Sequence, residues 1–310
     1  MTDRERDGRA PQVEVVLKRT SWRKWVEQEA DPRVAELLAA GDETVRHMRA
    51  SHTDHLETVE EVRAALDDLG VMARWSDQPH DFRVDKHSQL VIIIGGDGTL
   101  LGASHGVGAG VPLLGVNSSP EYSVGFFCGA KKGRVKQSVR DALEGRLRRS
   151  ELTRMRVELD GQPLHNRVLN EALFCHVSPA ATSRYILRVL ASDGRILTEE
   201  EQKSSGIWVG PAAGSTGAQR SAGGTTLPLE SSDLQYVVRE PYRPKLADLG
   251  LVVGLIGEGE CVAMKSKMRH ASIFLDGHQL VHGVAMGDVV TMRRSSEPLV
   301  VLGLSRDGSA

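Results

Sequence analysis

Hydrophobic positions along the chain follow two different periods. Over the first half, short unbroken apolar runs alternate with stretches whose apolar residues recur every three or four positions. Val13 to Leu17 (VEVVL) reads as a strand. Leu56, Val59, Val62, Leu66 and Leu69 then share one helical face, and Gly70 supplies a C-cap. Val71 to Trp75, Leu90 to Ile94 and Pro112 to Val116 are the next strand candidates, and Val135 to Leu147 is the last helix. Apolar runs of this kind suit parallel strands covered on both faces and joined by crossover helices. Thr20 to Asp54 is helical in places, but its pattern does not divide it into elements.

From about Glu151 the pattern changes. Tyr185 to Ala191, Gly206 to Gly210, Ala271 to Leu275 and Asp288 to Met292 read as strands. Asp160-Gly161, Asp193-Gly194 and Asp276-Gly277 each sit between strand-like runs, and Asp-Gly is a strong hairpin signal. This grammar predicts a mainly antiparallel β-sandwich. The expected organisation is a disordered start over 1–12, an α/β domain with an open parallel Rossmann-like sheet over 13–150, and a β-rich domain over 151–310. The last strand or strands of the β-rich part are expected to pack back on the first domain.

Composition narrows the class. The 310 residues are 40% hydrophobic and 26% charged, as in a globular protein with a sizeable core. A formal net charge of -2 gives no general reason to expect nucleic acid or an acidic membrane as partner. No stretch approaches the roughly 20 apolar residues of a membrane span. The charged start lacks an apolar signal core, so the expected compartment is the cytoplasm. Cys128, Cys175 and Cys261 are isolated and odd in number, which suits buried reduced thiols and not a disulfide frame or zinc site. The eleven histidines show no ligand spacing, and no metal cage is expected.

The strand from Leu90 to Ile94 runs into Gly95-Gly96-Asp97-Gly98-Thr99. Glycines let the backbone turn tightly and approach a ligand. Thr99 opens the apolar stretch Leu100 to His105, which looks like a helix start and would point free amides at the loop, a geometry that attracts phosphate. Asp97 offers one carboxylate there. The loop is neither a P-loop nor Gly-x-Gly-x-x-Gly. His105 is expected to be an ordinary helix residue, and core packing is expected to account for Trp22, Trp25, Trp75 and Trp208.

GGDGTLL at Gly95 to Leu101, LGVN at Leu114 to Asn117, LNEA at Leu169 to Ala172 and GSTGAQRSAGG at Gly214 to Gly224 fall in an order that resembles the NAD kinases. The first segment is shared with lipid kinases and phosphofructokinase-like enzymes; the four together are specific. HVSPAATSRY at His176 to Tyr185, LQYVVREP at Leu234 to Pro241 and the longer loop from Asn117 to Gly125 look like the plant-type branch that prefers NADH.

The resemblance implies transfer of the terminal phosphoryl of ATP, carried with Mg2+, to the 2′-hydroxyl of the adenosine ribose of NAD or NADH. It implies that Asp97 orients or deprotonates that hydroxyl. Gly96, Gly98 and Thr99 would face phosphate oxygens, and Asn170 with Glu171 would clamp a ribose. Asn117 would reach the adenine or ribose edge, and Gly214, Ser215 and Thr216 would pack closely on the ligand. Ala218 stands where the family has an aromatic near the adenine. Ser205 stands where it has an aspartate near the nicotinamide, a loss expected to weaken preference for the positive oxidised ring. Asp276 is expected to be a hairpin residue. The implied partners are small molecules, with neither nucleic acid nor membrane, in a homodimer or homotetramer. Two alternatives stand beside this reading, a lipid or sphingoid kinase of the same superfamily and a catalytically silent dinucleotide sensor. The Asn-Glu pair and the serine-threonine motif speak against the first, and the intact Asp97 against the second.

Overall fold

The computed structural model describes residues 13–242 and 250–304, so the expectation for 1–12 lies outside the described residues. The chain divides into two compact units, Met1–Ser150 with Leu299–Ala310, and Glu151–Pro298.

Unit 1 runs β1 (Val13–Leu17), a π-helix over Trp22–Gln28, α1 (Pro32–Ala39), α2 (Met48–Asp68), β2 (Ala73–Ser76), β3 (Leu90–Gly95), α3 (Asp97–Ser104), β4 (Leu113–Asn117), β5 (Cys128–Lys131), α4 (Val135–Leu143) and the first half of β6 (Arg149–Leu152), whose last two residues open unit 2. The sheet order is β2-β1-β3-β4, then the C-terminal strand Leu299–Leu302, then β6, with β5 also paired to β4. β1 pairs in parallel with β2 and β3, and β3 with β4. β3 is buried along its whole length, as its unbroken apolar run requires. Ile92 and Ile94 meet the α2 side, where Val59, Val62, Ala65 and Leu66 complete the core.

The helices follow local chemistry. α1 starts where Asp31 Oδ1 accepts the amides of Arg33 (2.8 Å) and Val34 (3.1 Å), with Pro32 at the first turn. α2 begins well before the apolar spacing does, because its early buried stripe is polar: His52, His55 and Thr58 precede Val59 and Val62. Leu56 is 50% exposed and lies off that face. α4 stops at Leu143, short of the expected Leu147, and Gly145 follows with a positive φ of 70°. Of the four tryptophans only Trp75 packs against a core, the one on the α2 side, as expected; the other three depart from that expectation. None of the four is fully buried, and a cation lies over each ring: Arg49 over Trp22, Lys24 over Trp25, Arg63 over Trp75 and Arg239 over Trp208. A large amphipathic ring covered by a long cationic stem needs no place in the core.

Unit 2 contains β7 (Met155–Leu159), β8 (Gln162–Val168), β9 (Ala172–His176), β10 (Ser183–Leu190), β11 (Ile196–Ser204), β12 (Ile207–Pro211), α5 (Ala218–Ser221), β13 (Leu234–Val238), β14 (Val253–Ile256), β15 (Cys261–Ser266), β16 (Ala271–Leu275), β17 (Leu280–Val284) and β18 (Val289–Arg294). Among the described residues they form two six-stranded sheets, β11-β10-β15-β18-β7-β8 and β14-β13-β12-β9-β16-β17. Every pairing is antiparallel. The hairpins turn at Asp160-Gly161, Asp193-Gly194 and Asp276-Gly277; both residues of the first and third pairs have positive φ. Alternate residues of both sheets, among them Phe174, Tyr185, Val209, Met264 and Ile273, build one shared core. Phe174 and Tyr185 meet edge-to-face at 5.5 Å. The fold is thus an α/β parallel-sheet unit and an antiparallel β-sandwich.

Candidate functional site

In unit 1 the chemistry gathers at the carboxyl ends of β3 and β4, where open parallel sheets bind ligands. Asp97 is the first residue of α3, so the helix starts two residues before the apolar pattern suggested. Its carboxylate accepts the backbone amides of Phe126 (3.0 Å) and Phe127 (2.9 Å). Each oxygen takes one of these bonds and keeps a further acceptor direction, so the group is held in one orientation while still able to accept a proton donor. Gly98 is exposed, whereas Thr99 is buried and its amide closes back on Gly96 O at 3.1 Å. Gly96 lies against Ser123, whose Oγ would come within 2.5 Å of any Cβ there.

The loop that supplies the Phe126 and Phe127 amides is itself fastened. Asn117, 3% exposed, donates from Nδ2 to Ser123 O at 2.9 Å and accepts Ser119 N at 3.2 Å. Its amide therefore braces residues 118–125, a use that differs from the expected reach to a ligand. From α2, His55 Nδ1 meets Ser118 Oγ at 3.1 Å and Ser51 Oγ meets Ser119 Oγ at 3.1 Å. Burial, then the positive charges of Lys18, His52 and Arg23, push the His55 pKa down to about 4.

In unit 2 the Asn-Glu pair precedes β9. The Asp276 carboxylate accepts three successive amides, Leu169 (2.8 Å), Asn170 (2.7 Å) and Glu171 (3.1 Å), and Asp276 N donates to Glu171 O at 2.9 Å. Asp276 is the hairpin residue that its Asp-Gly spacing indicated, and it also sets the shape of the Asn-Glu turn. Burial, followed by the charge of Asp276, raises the Glu171 pKa to about 7. Asn170 Oδ1 is buried and has no hydrogen-bond partner among the described residues. A buried acceptor left open in this way costs free energy unless a ligand donor fills it.

The serine-threonine segment packs directly on this turn. A Cβ on Gly214 would stand 2.0 Å from Asn170 O, so only glycine allows the contact. Ser215 is fully buried; its hydroxyl donates to Ala212 O at 2.7 Å and accepts Leu227 N at 2.9 Å. It shapes the segment from inside, where direct ligand contact was expected. Thr216 is exposed and Ala218 half-buried at the start of α5. Gln219 reaches Asn170 O at 3.3 Å and accepts Gln235 Nε2 at 3.2 Å, both glutamines being fully buried. Neither glutamine was anticipated. A lone glutamine inside the apolar run Leu234 to Val238 is the sequence signal that marks Gln235.

Ser205 lines a cavity of about 470 Å³ with Leu173, Cys175, Arg239, Glu240 and Phe274. Its amide donates to Arg239 O at 2.9 Å, and the Arg239 guanidinium lies over Trp208.

Comparison with known proteins adds the following. The family model for the ATP-NAD kinase N-terminal domain matches residues 3–146. A protein of Oryza sativa subsp. japonica described as a probable NADH kinase is 34% identical over 265 residues, covering 80% of this chain and 81% of the relative. Among solved structures, an NAD kinase from Archaeoglobus fulgidus in complex with ATP aligns with a TM-score of 0.66 at 19% identity, covering 95% of this chain and 94% of that one. A yeast NADH kinase complexed with NADH aligns with a TM-score of 0.68 at 14% identity, covering 97% and 86%. At these identities the two structures speak for the fold.

Proposed function

The chain belongs to the NAD kinase family, and from that premise we propose that it transfers the terminal phosphoryl group of ATP to the 2′-hydroxyl of the adenosine ribose of NAD or NADH, yielding NADP or NADPH. The observation that carries this reading is the Asp97 carboxylate, pinned by the Phe126 and Phe127 amides and open for one more donor. It accepts the ribose hydroxyl, aligns its oxygen and takes its proton as the bond to phosphorus forms. Asn170 and Glu171 hold the dinucleotide: an open amide oxygen takes a hydrogen bond from a base or hydroxyl donor, and the adjoining carboxyl takes a ribose hydroxyl. Gly98 in unit 1 and Thr216 in unit 2, both exposed, are loop positions open to substrate, and Ala218 follows Thr216 at the start of α5. Asn117, Gly214 and Ser215 hold these loops in shape.

Magnesium enters as part of the donor. Among the described residues no group of three His, Cys, Asp or Glu side chains comes together. A cation carried on phosphate oxygens needs few protein ligands.

The finer reading is a preference for NADH. Ser205 adds no carboxylate to the cavity that Arg239 and Glu240 line, so a positive nicotinamide ring finds one negative charge fewer there than an aspartate would supply. A cytoplasmic homodimer or homotetramer completes the proposal. The three buried free thiols suit a reducing compartment, and no helix among the described residues is long and apolar enough to cross a membrane.

The test is to incubate the protein with ATP, magnesium and either NAD or NADH, and to quantify NADP or NADPH. Asp97→Asn is expected to lose 100-fold or more in kcat, in line with about 10²–10⁴ for a lost general base, while still binding both substrates. Binding without turnover in the wild type would replace the kinase with a dinucleotide sensor.

A further inference from the structure

Lys18 follows β1 directly, and its backbone amide donates to Ile94 O at 2.8 Å. Alternation along β1 turns Val13 and Val15 to the α2 core and Lys18 to the other face. There it lies beside the glycine loop: a Cβ built on Gly95 would be 3.0 Å from Lys18 Cβ and 2.5 Å from Thr99 Oγ1. The side chain is therefore rooted within two residues of Asp97 along β3 and against the first turn of α3.

The ammonium has no hydrogen bond or ion pair with any described residue. No acid contributes to its titration, and the carboxylate of the loop it lies beside, Asp97, is oriented by the Phe126 and Phe127 amides. Burial lowers the Lys18 pKa, as expected of a cation drawn partly out of water with no counter-charge. Its field reaches His55, and Arg23 and His52 add the same sign. The amides at the start of α3 are positive as well. A folded protein gains nothing from such a cation until an anion arrives.

We propose that Lys18 binds the terminal phosphoryl group of the donor and stays against it during transfer. The inference rests on the kinase reading and names a residue of the phosphate subsite that the sequence motifs did not. In the step, the bond from phosphorus to the bridging oxygen of ATP breaks and the bond to the ribose 2′-oxygen forms. The hydroxyl proton goes to Asp97. Lys18 remains protonated throughout and stabilises charge on the moving group.

Two experiments test this. In the first, Lys18→Met and Lys18→Arg are compared with wild type. A charge-assisted hydrogen bond of this class is worth about 10- to 100-fold, so kcat/KM for ATP should fall by that factor in Lys18→Met and recover in part in Lys18→Arg. The dinucleotide Kd should change less than twofold, and the melting temperature should not fall, since no internal partner is lost. A kcat/KM for ATP within threefold of wild type in Lys18→Met overturns the proposal. In the second, wild-type lysines are trace-acylated and mapped by peptide mass. Magnesium-ATP and inorganic tripolyphosphate should both slow labelling of Lys18, adenosine should not, and Lys136 should be unaffected. Unchanged Lys18 labelling under tripolyphosphate also overturns it, even if Lys18→Met does not fold. A wild type that makes no NADP or NADPH while tripolyphosphate still shields Lys18 would sink the kinase reading and leave the phosphate subsite standing.

Discussion

Glu171 shows how one turn can set a side chain's chemistry. Its carboxyl is mostly removed from water and faces the charge that fixes its own backbone, so its pKa is raised from 4.5 to about 7. The ionised form is the better acceptor for a ribose hydroxyl. The KM for the dinucleotide should therefore fall as pH rises through about 7, and Glu171→Gln should raise that KM and flatten its pH dependence. The same shift has a stability sign. The unfolded chain loses this proton near 4.5, so folding is progressively disfavoured between about 4.5 and about 7, and the glutamine variant should escape that loss. Ser205 can be tested in the same assays. Ser205→Asp should move the NAD-to-NADH ratio of kcat/KM toward NAD by several-fold, and an unchanged ratio removes the charge argument.

The elements that hold the site are loops braced from behind. Gly214 is the tightest case, with its backbone against the Asn170 carbonyl. Gly214→Ala should cost about 1–3 kcal/mol of stability, in the usual range for overpacking. It should also weaken dinucleotide binding at least tenfold while ATP affinity stays, as calorimetry would show. α2 is the corresponding brace in unit 1, through Ser51, His55 and Thr58. His55 is neutral in the folded protein down to about pH 4, whereas the unfolded chain protonates it near 6.5. Stability should therefore drop as pH falls from about 6.5 to about 4, by up to about 3 kcal/mol. The difference in denaturation midpoint between wild type and His55→Gln, measured at pH 7 and pH 4.5, isolates this contribution from the carboxylates.

Across the whole molecule, local pattern carried the parts whose cause is local. Val13–Leu17 and Ala271–Leu275 appear with the bounds their apolar runs suggest, and the three Asp-Gly turns sit where glycine and aspartate tolerate positive φ. The start of α2 was hidden because His52, His55 and Thr58 are buried by partners on distant segments, and periodicity cannot see a polar core. The π-helix over Trp22–Gln28 has no pattern of its own. At the site, the glycine loop and the Asn-Glu pair were legible as motifs, but what each residue touches was not. Asp97 meets amides some thirty positions away, Asp276 more than a hundred, and Asn117 and Ser215 face inward because a loop's path is decided by its packing.

The pairing of Val301 with Leu113 has a consequence for the order of assembly. Strand β4 gains this neighbour only when Leu299–Leu302 has been synthesised. All of Glu151–Pro298 emerges from the ribosome before that, so the sandwich can close while the parallel sheet still has an open edge between β4 and the place of β6. That edge is a template for wrong pairing until the C-terminal strand arrives. Loss of the strand Leu299–Leu302 would thus harm the first-made half of the protein, not the sandwich made just before it.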